Sequence, residues 1–434
     1  MKILIYGINY APELTGIGKY SGEMASWLAA RGHQVRVVTA PPYYPAWVVR
    51  ADYKNAYSTQ RISGQPVVFR CPLYVPAKPS GLKRMAHLFS FMLSSIPVML
   101  RQIWWQPDLV FTVEPTFFGA PLALLVARAS GAASWLHVQD FEVDAAFDLG
   151  LLPAQGPIHA LALGLEKFFT RAFTRVSSIS TKMLERTLTK GIPAEHTILF
   201  PNWVDVDSIH PQPPAELNPF RTQLNLPSTG PGEKIILLYS GNMGAKQGLE
   251  LLAPLASAFA PGGTHADPRV HFLFCGDGAF RPQLEALVVG RPNVTLLPLQ
   301  PLERLNDLLN AADIHLLPQR AGAADLVMPS KLTGMLSSGR PVIATADPGT
   351  QVAQVVSPPA GPMADPEGLL PRPPCGLVVP AEDAAALHAA AARLVNDPGL
   401  RTALGAAARQ YAVQHLGKQQ VLEQLEHDLQ TLTP

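Results

Sequence analysis

Residues 311–346 read AADIHLLPQRAGAADLVMPSKLTGMLSSGRPVIATA, and this stretch decides the fold. Two short runs, Ile314–Leu317 and Val342–Ala344, are rich in β-branched residues and have the pattern of buried strands. A Pro-Ser-Lys step and a segment of helical character lie between them. The stretch therefore predicts a strand, loop, helix, strand unit.

The predicted helix of this unit begins at Ser330, Lys331 and Leu332. A helix N-terminus offers free backbone N–H groups and the positive end of the helix dipole, which together stabilise an anion. We therefore predict a phosphate site here, with Lys331 beside the phosphate. The alternative is an ordinary βαβ unit with a solvated lysine, since short motifs often match by chance.

Length and composition set limits on the fold and on the partners. A chain of 434 residues predicts two domains, because a single core stops growing near about 250–300 residues. The net charge of +1 argues against nucleic acid as a partner of the whole chain. Three widely spaced cysteines favour neither a disulfide framework nor a zinc site, and they fit a cytoplasmic protein.

Apolar runs are too short for targeting or for spanning a membrane. The first run, Ile3–Tyr6, is far shorter than the ~7–15 residues of a signal peptide core and predicts a first strand. The longest candidate for a membrane span, Met85–Leu100, contains His87 and Pro97. We expect a protein that is not integral to a membrane.

A glycine-containing loop with Gly16, Gly18 and Gly22 follows the predicted first strand, Lys2–Tyr6. A dinucleotide site is disfavoured, because the loop does not directly follow the strand and the second strand, Gln34–Thr39, is not followed by an acid. We expect the glycines to let the backbone approach a substrate closely.

Further strand-like runs alternate with segments of helical length along the whole chain, which predicts parallel sheets. A proline-rich stretch near residue 211 separates two such series and predicts an interdomain linker. The remaining predicted strands are Leu109–Val113, Ala133–Val138, Val176–Ser180, Thr197–Phe200, Lys234–Tyr239 and Val270–Cys275.

The segment 53–107 has basic residues but no Asp or Glu. Within it, residues 81–105 place apolar side chains at helical spacing and end in two tryptophans, while Pro97 should kink or break the helix. A core helix packed on a sheet is one interpretation. The other is a helix lying on an anionic membrane surface.

The motifs together resemble the retaining family-4 glycosyltransferases of the GT-B type, and among them the glycosyltransferases of colanic acid biosynthesis. The resemblance covers nearly the whole chain. It is carried by NYAPELTGIGKYSGEMASWLAARGHQVRVVTAPPYYP from Asn9, LHVQDFEVDAAFDLG around Asp140, PNWVD at Asn202, YSGNMGAKQGLE at Gly241, FCGDG at Cys275 and MPSKLTGMLSSGRPVIA from Met328.

The resemblance implies an α/β fold of two Rossmann-like doubly wound domains that face each other across a cleft. It implies an acceptor-binding domain over 1–205, a linker over 206–233, a nucleotide-sugar-binding domain over 234–410, and a helix within 411–434 that crosses back to the first domain. The donor would be a nucleoside-diphosphate sugar, used without a metal or other cofactor. The acceptor would be a lipid-linked or growing saccharide at the cytoplasmic face of a membrane.

By the same resemblance, the residues that bind the donor are Gly16, Gly18, Gly241, Asn242, Lys246, Gly276, Ser330, Lys331 and Leu332. Asp140 follows a predicted strand, where side chains face the ligand in this fold, so we expect it to orient or deprotonate the acceptor hydroxyl. His137 is the alternative base. Glu114 and Tyr20 are expected acceptor contacts. A helix N-cap role for Asp140 and a core role for His137 remain open.

The chain departs from the family pattern at two places. Asn242 stands where the family usually has an arginine that contacts the diphosphate. The family's paired glutamates would fall on Leu326 and Gly334, with Asp325 next to the first. An Asp-Val-Asp sequence at 205–207 lies at the domain exit, so we do not expect it to bind a metal. Because the paired glutamates are missing, a non-catalytic protein that binds nucleotide sugars is an alternative hypothesis. An enzyme that modifies nucleotide sugars is a further alternative.

Overall fold

The computed structural model describes residues 1–13, 16–77, 81–115, 117–141, 156–212, 218–244, 247–321, 329–358 and 372–432. The chain divides into two compact units. Unit 1 comprises Met1–Pro201 with Leu422–Pro434, and unit 2 comprises Asn202–Val421. The segment predicted as a linker, 206–233, thus belongs to unit 2, and the last residues of the predicted final helix belong to unit 1.

Unit 1 contains an eight-stranded sheet in the order β3-β4-β2-β1-β5-β6-β7-β8. All neighbouring strands are parallel except β3, which pairs with β4 in the antiparallel direction. The strands are β1 Lys2–Tyr6, β2 Gln34–Thr39, β3 Ser58–Gln60, β4 Val67–Arg70, β5 Leu109–Glu114, β6 Ala133–Val138, β7 Arg175–Ser178 and β8 Thr197–Leu199.

In the described part of unit 1, five helices follow these strands. They are α1 Ile17–Ala30, α2 Gly81–Ile103, α3 Ala120–Ser130, α4 Pro157–Arg171 and α5 Thr181–Thr189. The connections β4–α2–β5, β5–α3–β6 and β6–α4–β7 all run in the same direction across the sheet. Because such crossovers are right-handed, α2, α3 and α4 lie on one face of the sheet.

Unit 2 contains a six-stranded parallel sheet in the order β11-β10-β9-β12-β13-β14. Its central strand, IILLYSGN, is a nearly continuous apolar run, as expected for a parallel strand covered on both faces. The strands are β9 Ile235–Asn242, β10 Val270–Asp277, β11 Val294–Leu297, β12 Ile314–Leu317, β13 Val342–Thr345 and β14 Gly376–Val379.

The helices of unit 2 alternate with its strands and are followed by three consecutive helices at the C-terminus. They are α6 Pro219–Gln223, α7 Leu252–Phe259, α8 Arg281–Val288, α9 Leu305–Ala311, α10 Ser330–Ser337, α11 Gln351–Val356, α12 Ala384–Asn396, α13 Pro398–His415 and α14 Lys418–Gln430, which belongs to unit 1 from Leu422 onward. Within the described ranges, no helix is both long enough and apolar enough to cross a membrane.

Both sheets are doubly wound, as predicted. In unit 1 the chain reverses its direction across the sheet between β1 and β5, and in unit 2 it does so between β9 and β12. Ligands in this architecture bind at the carboxyl ends of the strands beside such a reversal, the topological switch point.

Pro97 was predicted to kink or break its helix, and of these two effects the break does not occur. The helix α2 runs without interruption from Gly81 to Ile103. Proline removes one backbone donor and crowds the preceding turn, so nearby carbonyl groups need other donors. The hydroxyl of Tyr57 donates over 2.8 Å to the Ser94 carbonyl oxygen, which directly follows the Leu93 carbonyl that Pro97 leaves without its helical donor.

A buried ion pair ties the segment before β9 to the rest of unit 2. The Arg221 side chain is 2% exposed and its Nη2 lies 2.5 Å from Asp313 Oδ2. Its other nitrogens donate to the carbonyl oxygens of Ala311 and Lys234. The guanidinium therefore joins α6, the end of α9 and the start of β9.

Replacing Arg221 with Met should lower the free energy of unfolding by about 3 kcal/mol, because Asp313 keeps its charge but loses its cation. The matched control is Arg269→Met, which breaks a surface pair with Asp267 whose arginine is 46% exposed. That change should cost less than about 1 kcal/mol. Urea unfolding followed by circular dichroism measures both, and equal losses would contradict the assigned role of the buried pair.

Candidate functional site

The strand-end region of unit 2 is organised around Lys331. This residue lies in the first turn of α10, which follows β12, and its side chain reaches the neighbouring strand β9 across the switch point. Its Nζ lies 2.7 Å from Gln247 Oε1 and 3.2 Å from the Tyr239 hydroxyl, and 4.3 Å from the centre of the Tyr239 ring. The ammonium group thus occupies the crevice in which doubly wound sheets bind ligands.

Among the described residues, the hydrogen-bond partners of the Lys331 ammonium group are neutral. Tyr239 donates its own hydroxyl proton to the Asn242 carbonyl oxygen over 2.6 Å, so it accepts from the lysine. Burial lowers the pKa of Lys331 to about 7. The same cause raises the pKa of Tyr239 well above its usual range, so the phenol stays neutral. An anion bound beside Lys331 would favour its charged form and raise its pKa.

The start of α10 keeps its donors for a ligand. No side chain of the described residues caps this N-terminus, and Ser330 is exposed. The Leu332 N–H donates to the Pro329 carbonyl oxygen, and the Leu332 side chain is fully buried. Of the three residues predicted as contacts at this helix start, Ser330 is exposed and Lys331 reaches β9, whereas the Leu332 side chain belongs to the core.

The predicted glycines of unit 2 differ in role. Gly241 lies beside the Lys331 side chain, and a Cβ there would lie 3.4 Å from Lys331 Cδ. Gly276 pairs with Gly241 across strands β9 and β10, where a Cβ on Gly276 would collide with the Gly241 carbonyl oxygen. Close packing of two strand ends therefore requires glycine at position 276. This structural reason is independent of any contact with a phosphate.

Three positions of the family pattern lie outside the described residues, namely Lys246, Asp325 and Leu326. Gly334 is described and lies on α10. A Cβ there would lie 3.3 Å from Leu309 Cδ1.

In unit 1 the glycine loop is held by a residue that was not singled out from the sequence, Glu13. Its side chain is buried, and Oε1 accepts from the backbone N–H groups of Tyr43 and Tyr44 at 3.1 and 3.0 Å. Its Oε2 accepts from Asn9 Nδ2 at 3.0 Å. Burial raises the pKa of this carboxyl, although its three hydrogen bonds oppose the shift.

Glu13 explains one of the predicted glycines. A Cβ on Gly18 would lie 2.5 Å from Glu13 Oε2, so only glycine lets α1 begin against the carboxylate. Gly16 precedes α1 as its N-cap residue, and Tyr20 is buried on that helix. Glu13 is the one charged residue between Tyr6 and Lys19, and this was the signal in the sequence that could have revealed it.

His137 lies on β6 in the interior of unit 1. Its Nδ1 is 2.8 Å from Ser177 Oγ, and its Nε2 is 3.0 Å from the Gln139 amide nitrogen. An amide nitrogen can only donate, so Nε2 accepts and the imidazole proton is on Nδ1. Burial lowers the pKa of His137 to about 3. A neutral ring with both nitrogens engaged fits a role in orienting Gln139 better than proton transfer.

The two predicted carboxylates lie near strand ends of unit 1. Glu114 is the last residue of β5, beside the switch point, and it is buried. Asp140 follows the end of β6 by two residues and is half-buried. In the 205–207 motif, Asp205 Oδ1 accepts from the backbone N–H groups of Asp207 and Ser208, which explains its presence as a turn residue.

Comparisons with known proteins agree across both units. A model described as a glycosyl transferase 4-like domain matches residues 15–203, and one described as glycosyl transferases group 1 matches residues 234–397. WcaI of Escherichia coli K12, named as a candidate colanic acid biosynthesis glycosyl transferase, is 41% identical over 433 residues. The match covers 99% of this chain and 100% of WcaI.

Solved structures share the fold. Sucrose-phosphate synthase from Thermosynechococcus elongatus superposes with a TM-score of 0.73 at 20% identity, covering 99% of this chain and 98% of that one. Anabaena HepE, solved in complex with UDP-glucose, superposes with a TM-score of 0.64 at 14% identity, covering 99% and 100%. These are GT-B structures, and the predicted fold class is confirmed.

Replacing Gly18 with Ala should lower the free energy of unfolding by about 2 kcal/mol, because the added methyl group displaces Glu13 from its buried hydrogen bonds. The control is Gly164→Ala on α4, where a Cβ meets nothing within 4 Å and should stabilise the helix by up to about 1 kcal/mol. Thermal unfolding compares the two variants. A Gly18→Ala protein as stable as wild type would show that Glu13 can move without cost.

Proposed function

We propose, since this chain belongs to the glycosyltransferases that join a family-4-like domain to a group 1 domain, that it transfers a hexose from a nucleoside-diphosphate sugar to a saccharide acceptor. The acceptor is a lipid-linked or growing saccharide of a colanic-acid-like exopolysaccharide. The identity to WcaI over the whole chain supports this pathway class. The UDP-glucose complex of HepE supports the donor class.

The observation that carries the proposal is the position of Lys331. Its ammonium group lies at the switch point of unit 2, beside a helix N-terminus that no described side chain caps, and its described hydrogen-bond partners are neutral. A diphosphate bound there would meet a cation and free N–H donors. Such groups are fixed in place before the reaction, so they stabilise the charge that develops on the leaving diphosphate.

In the proposed reaction the bond between the sugar C1 and the diphosphate oxygen breaks, and the diphosphate keeps the electron pair. The acceptor oxygen bonds to C1 from the same face, so the anomeric configuration is retained. Lys331 and the start of α10 neutralise the leaving group without a metal. Asp140 orients the acceptor hydroxyl and takes its proton, and Glu114 and Tyr20 contribute to the acceptor side.

The setting of the reaction is proposed to be the cytoplasmic face of a membrane, since the acceptor is lipid-linked. The apolar and basic segment 81–105 would hold the protein there as a peripheral protein.

The nucleotide base and the sugar of the donor can be identified by thermal-shift screening with UDP, GDP and their sugar conjugates. A ligand at ~100 times its dissociation constant stabilises by about 2.7 kcal/mol.

A nucleoside diphosphate should bind with proton uptake. Free Lys331, with a pKa of about 7, is mostly neutral at pH 8, and diphosphate binding restores its charge. The affinity should therefore fall as the pH rises above 7, with close to one proton taken up at pH 8. Calorimetry of UDP and GDP binding in buffers of different ionisation enthalpy measures this uptake.

Two variants make this experiment specific. Lys331→Arg keeps a permanent cation, so its binding should lack the proton uptake that comes from the lysine. Any proton uptake that this variant still shows comes from the phosphate itself and is subtracted from the wild-type value. Lys331→Met should weaken binding by about 2 kcal/mol, or ~30-fold. Wild-type affinity in the methionine variant would place the diphosphate elsewhere and remove the main support for the proposed mechanism.

Replacing Asp140 with Asn should lower turnover by about 10²-fold or more while leaving the affinity for the donor unchanged, because the amide cannot accept the acceptor proton. Transfer of labelled sugar to a lipid-linked saccharide is the assay. The control Asp52→Asn makes the same chemical change on an exposed side chain of unit 1 and should not alter turnover. Donor binding without transfer or hydrolysis by the wild type would instead indicate a non-catalytic binding protein.

A further inference from the structure

The outward face of helices α2, α3 and α4 is unusually apolar. The helix α2 contacts the core of unit 1 through a stripe of buried residues, namely His87, Phe91, Ser95, Met99 and Gln102. The apolar residues that recur at helical spacing in the sequence form a different stripe, in which Phe89 is exposed and the other members are partly exposed, namely Met85, Leu88, Met92, Ile96, Leu100 and Ile103. Thus the helix packs on its sheet as in the first interpretation, yet it leaves an apolar face open as in the second.

The exposed apolar side chains continue across all three helices. On α2, Leu82 is 78% exposed, and Phe89 and Leu93 are 45% and 48% exposed. The next helix, α3, adds Leu125 at 53%. On α4, Leu161, Leu165 and Phe168 recur at i, i+4 and i+7, so they share one side of the helix, and they are 62%, 45% and 66% exposed.

These three helices form one continuous layer. They lie on the same face of the sheet, and α3 contacts both α2 and α4. Side chains that point away from the sheet on each helix therefore point to the same side of unit 1. Trp104, 81% exposed, lies just beyond the C-terminal end of α2.

The exposed charges on α2, α3 and α4 have one sign, whereas α5, which by the same crossover rule lies on this face, carries the exposed Glu185 paired with Lys182 at 2.8 Å. The three helices carry exposed basic side chains at Lys83, Arg84, Arg101, Arg128, Lys167 and Arg171. Their sequences contain a single acid, Glu166, which is buried and paired with Lys190 at 2.6 Å. The surface therefore combines exposed apolar side chains with cations and presents no exposed carboxylate on its helices.

We infer that the layer formed by α2, α3 and α4 is a docking surface for an anionic lipid bilayer, which places α4 as well as α2 against the membrane. Apolar side chains enter the boundary between headgroups and acyl chains, and lysines and arginines pair with anionic headgroups. A tryptophan at the edge of the layer suits the same interface. The inference deepens the proposed function, which places the acceptor in a membrane.

Co-sedimentation of the full chain with vesicles tests this surface, using mixed phosphatidylglycerol and phosphatidylcholine against phosphatidylcholine alone. The chain should bind the anionic vesicles, and added salt should weaken binding because exposed charges are screened. A double variant on each helix, Phe89→Ser with Leu93→Ser on α2 and Leu161→Ser with Phe168→Ser on α4, should weaken binding about tenfold or more.

The matched control removes two exposed apolar side chains from unit 2, Leu287→Ser with Val289→Ser, which are 44% and 80% exposed. This variant should bind like wild type. The charge variant Lys83→Glu with Lys167→Glu should lose the preference for anionic vesicles. Circular dichroism of every variant checks that the fold is kept, and all substituted side chains are exposed.

Three results would overturn the inference. The first is that the chain does not bind anionic vesicles, and the second is that the α4 variant binds them as well as wild type does. The third is that light scattering shows a concentration-dependent dimer that the same variants abolish. The last result would assign the layer to a second copy of the chain. The assay contains neither donor nor acceptor, so its failure is distinguishable from a failure of the proposed transfer reaction.

Discussion

An ammonium group surrounded by neutral oxygens shapes the strand-end site of unit 2. Lys331 is held by Tyr239 and Gln247, which accept its hydrogen bonds but do not balance its charge. Desolvation then lowers its pKa to about 7, so the free energy of charging this group near neutral pH is small. A bound diphosphate would supply the missing charge. The charge of this group is thus unbalanced without an anion, and the proposed mechanism assigns that anion to the leaving diphosphate.

The two units use the same architecture with opposite charge. In unit 1, the loop after β1 holds the buried carboxylate of Glu13, and β5 ends in the buried carboxylate of Glu114. In unit 2, the corresponding place beside the switch point holds Lys331. Doubly wound sheets present loops at the carboxyl ends of their strands, and the side chains on those loops decide the chemistry. The repeated fold therefore places carboxylates near the strand ends of unit 1 and a cation near those of unit 2.

The helices of unit 1 serve two surfaces at once. On its inner side, α2 places His87 against the Tyr43 and Trp47 rings, with ring centres 4.6 and 5.2 Å away. Tyr43 in turn donates its backbone N–H to Glu13. On its outer side, the same helix exposes apolar and basic side chains. A helix that contacts a bilayer through one side would thus be in contact, through the other, with the loop that orders the glycine segment.

Much of the fold followed from the sequence by itself. Long apolar runs such as Lys2–Tyr6 and Ala133–Val138 match the observed strands, because a strand buried on both faces needs an unbroken apolar sequence. Short or partly exposed strands such as β3 and β11 lack this pattern and were not predicted. The helix start at Ser330, with Lys331 in the first turn, was also predicted, because a helix start after a buried strand is a local signal in the sequence. The partners of Lys331, the buried state of His137, the packing role of Gly276 and the clamp made by Glu13 were decided only by the tertiary structure. Each depends on contacts between residues that are far apart in the sequence. The spacing of residues along the chain does not show which of them meet in the folded protein.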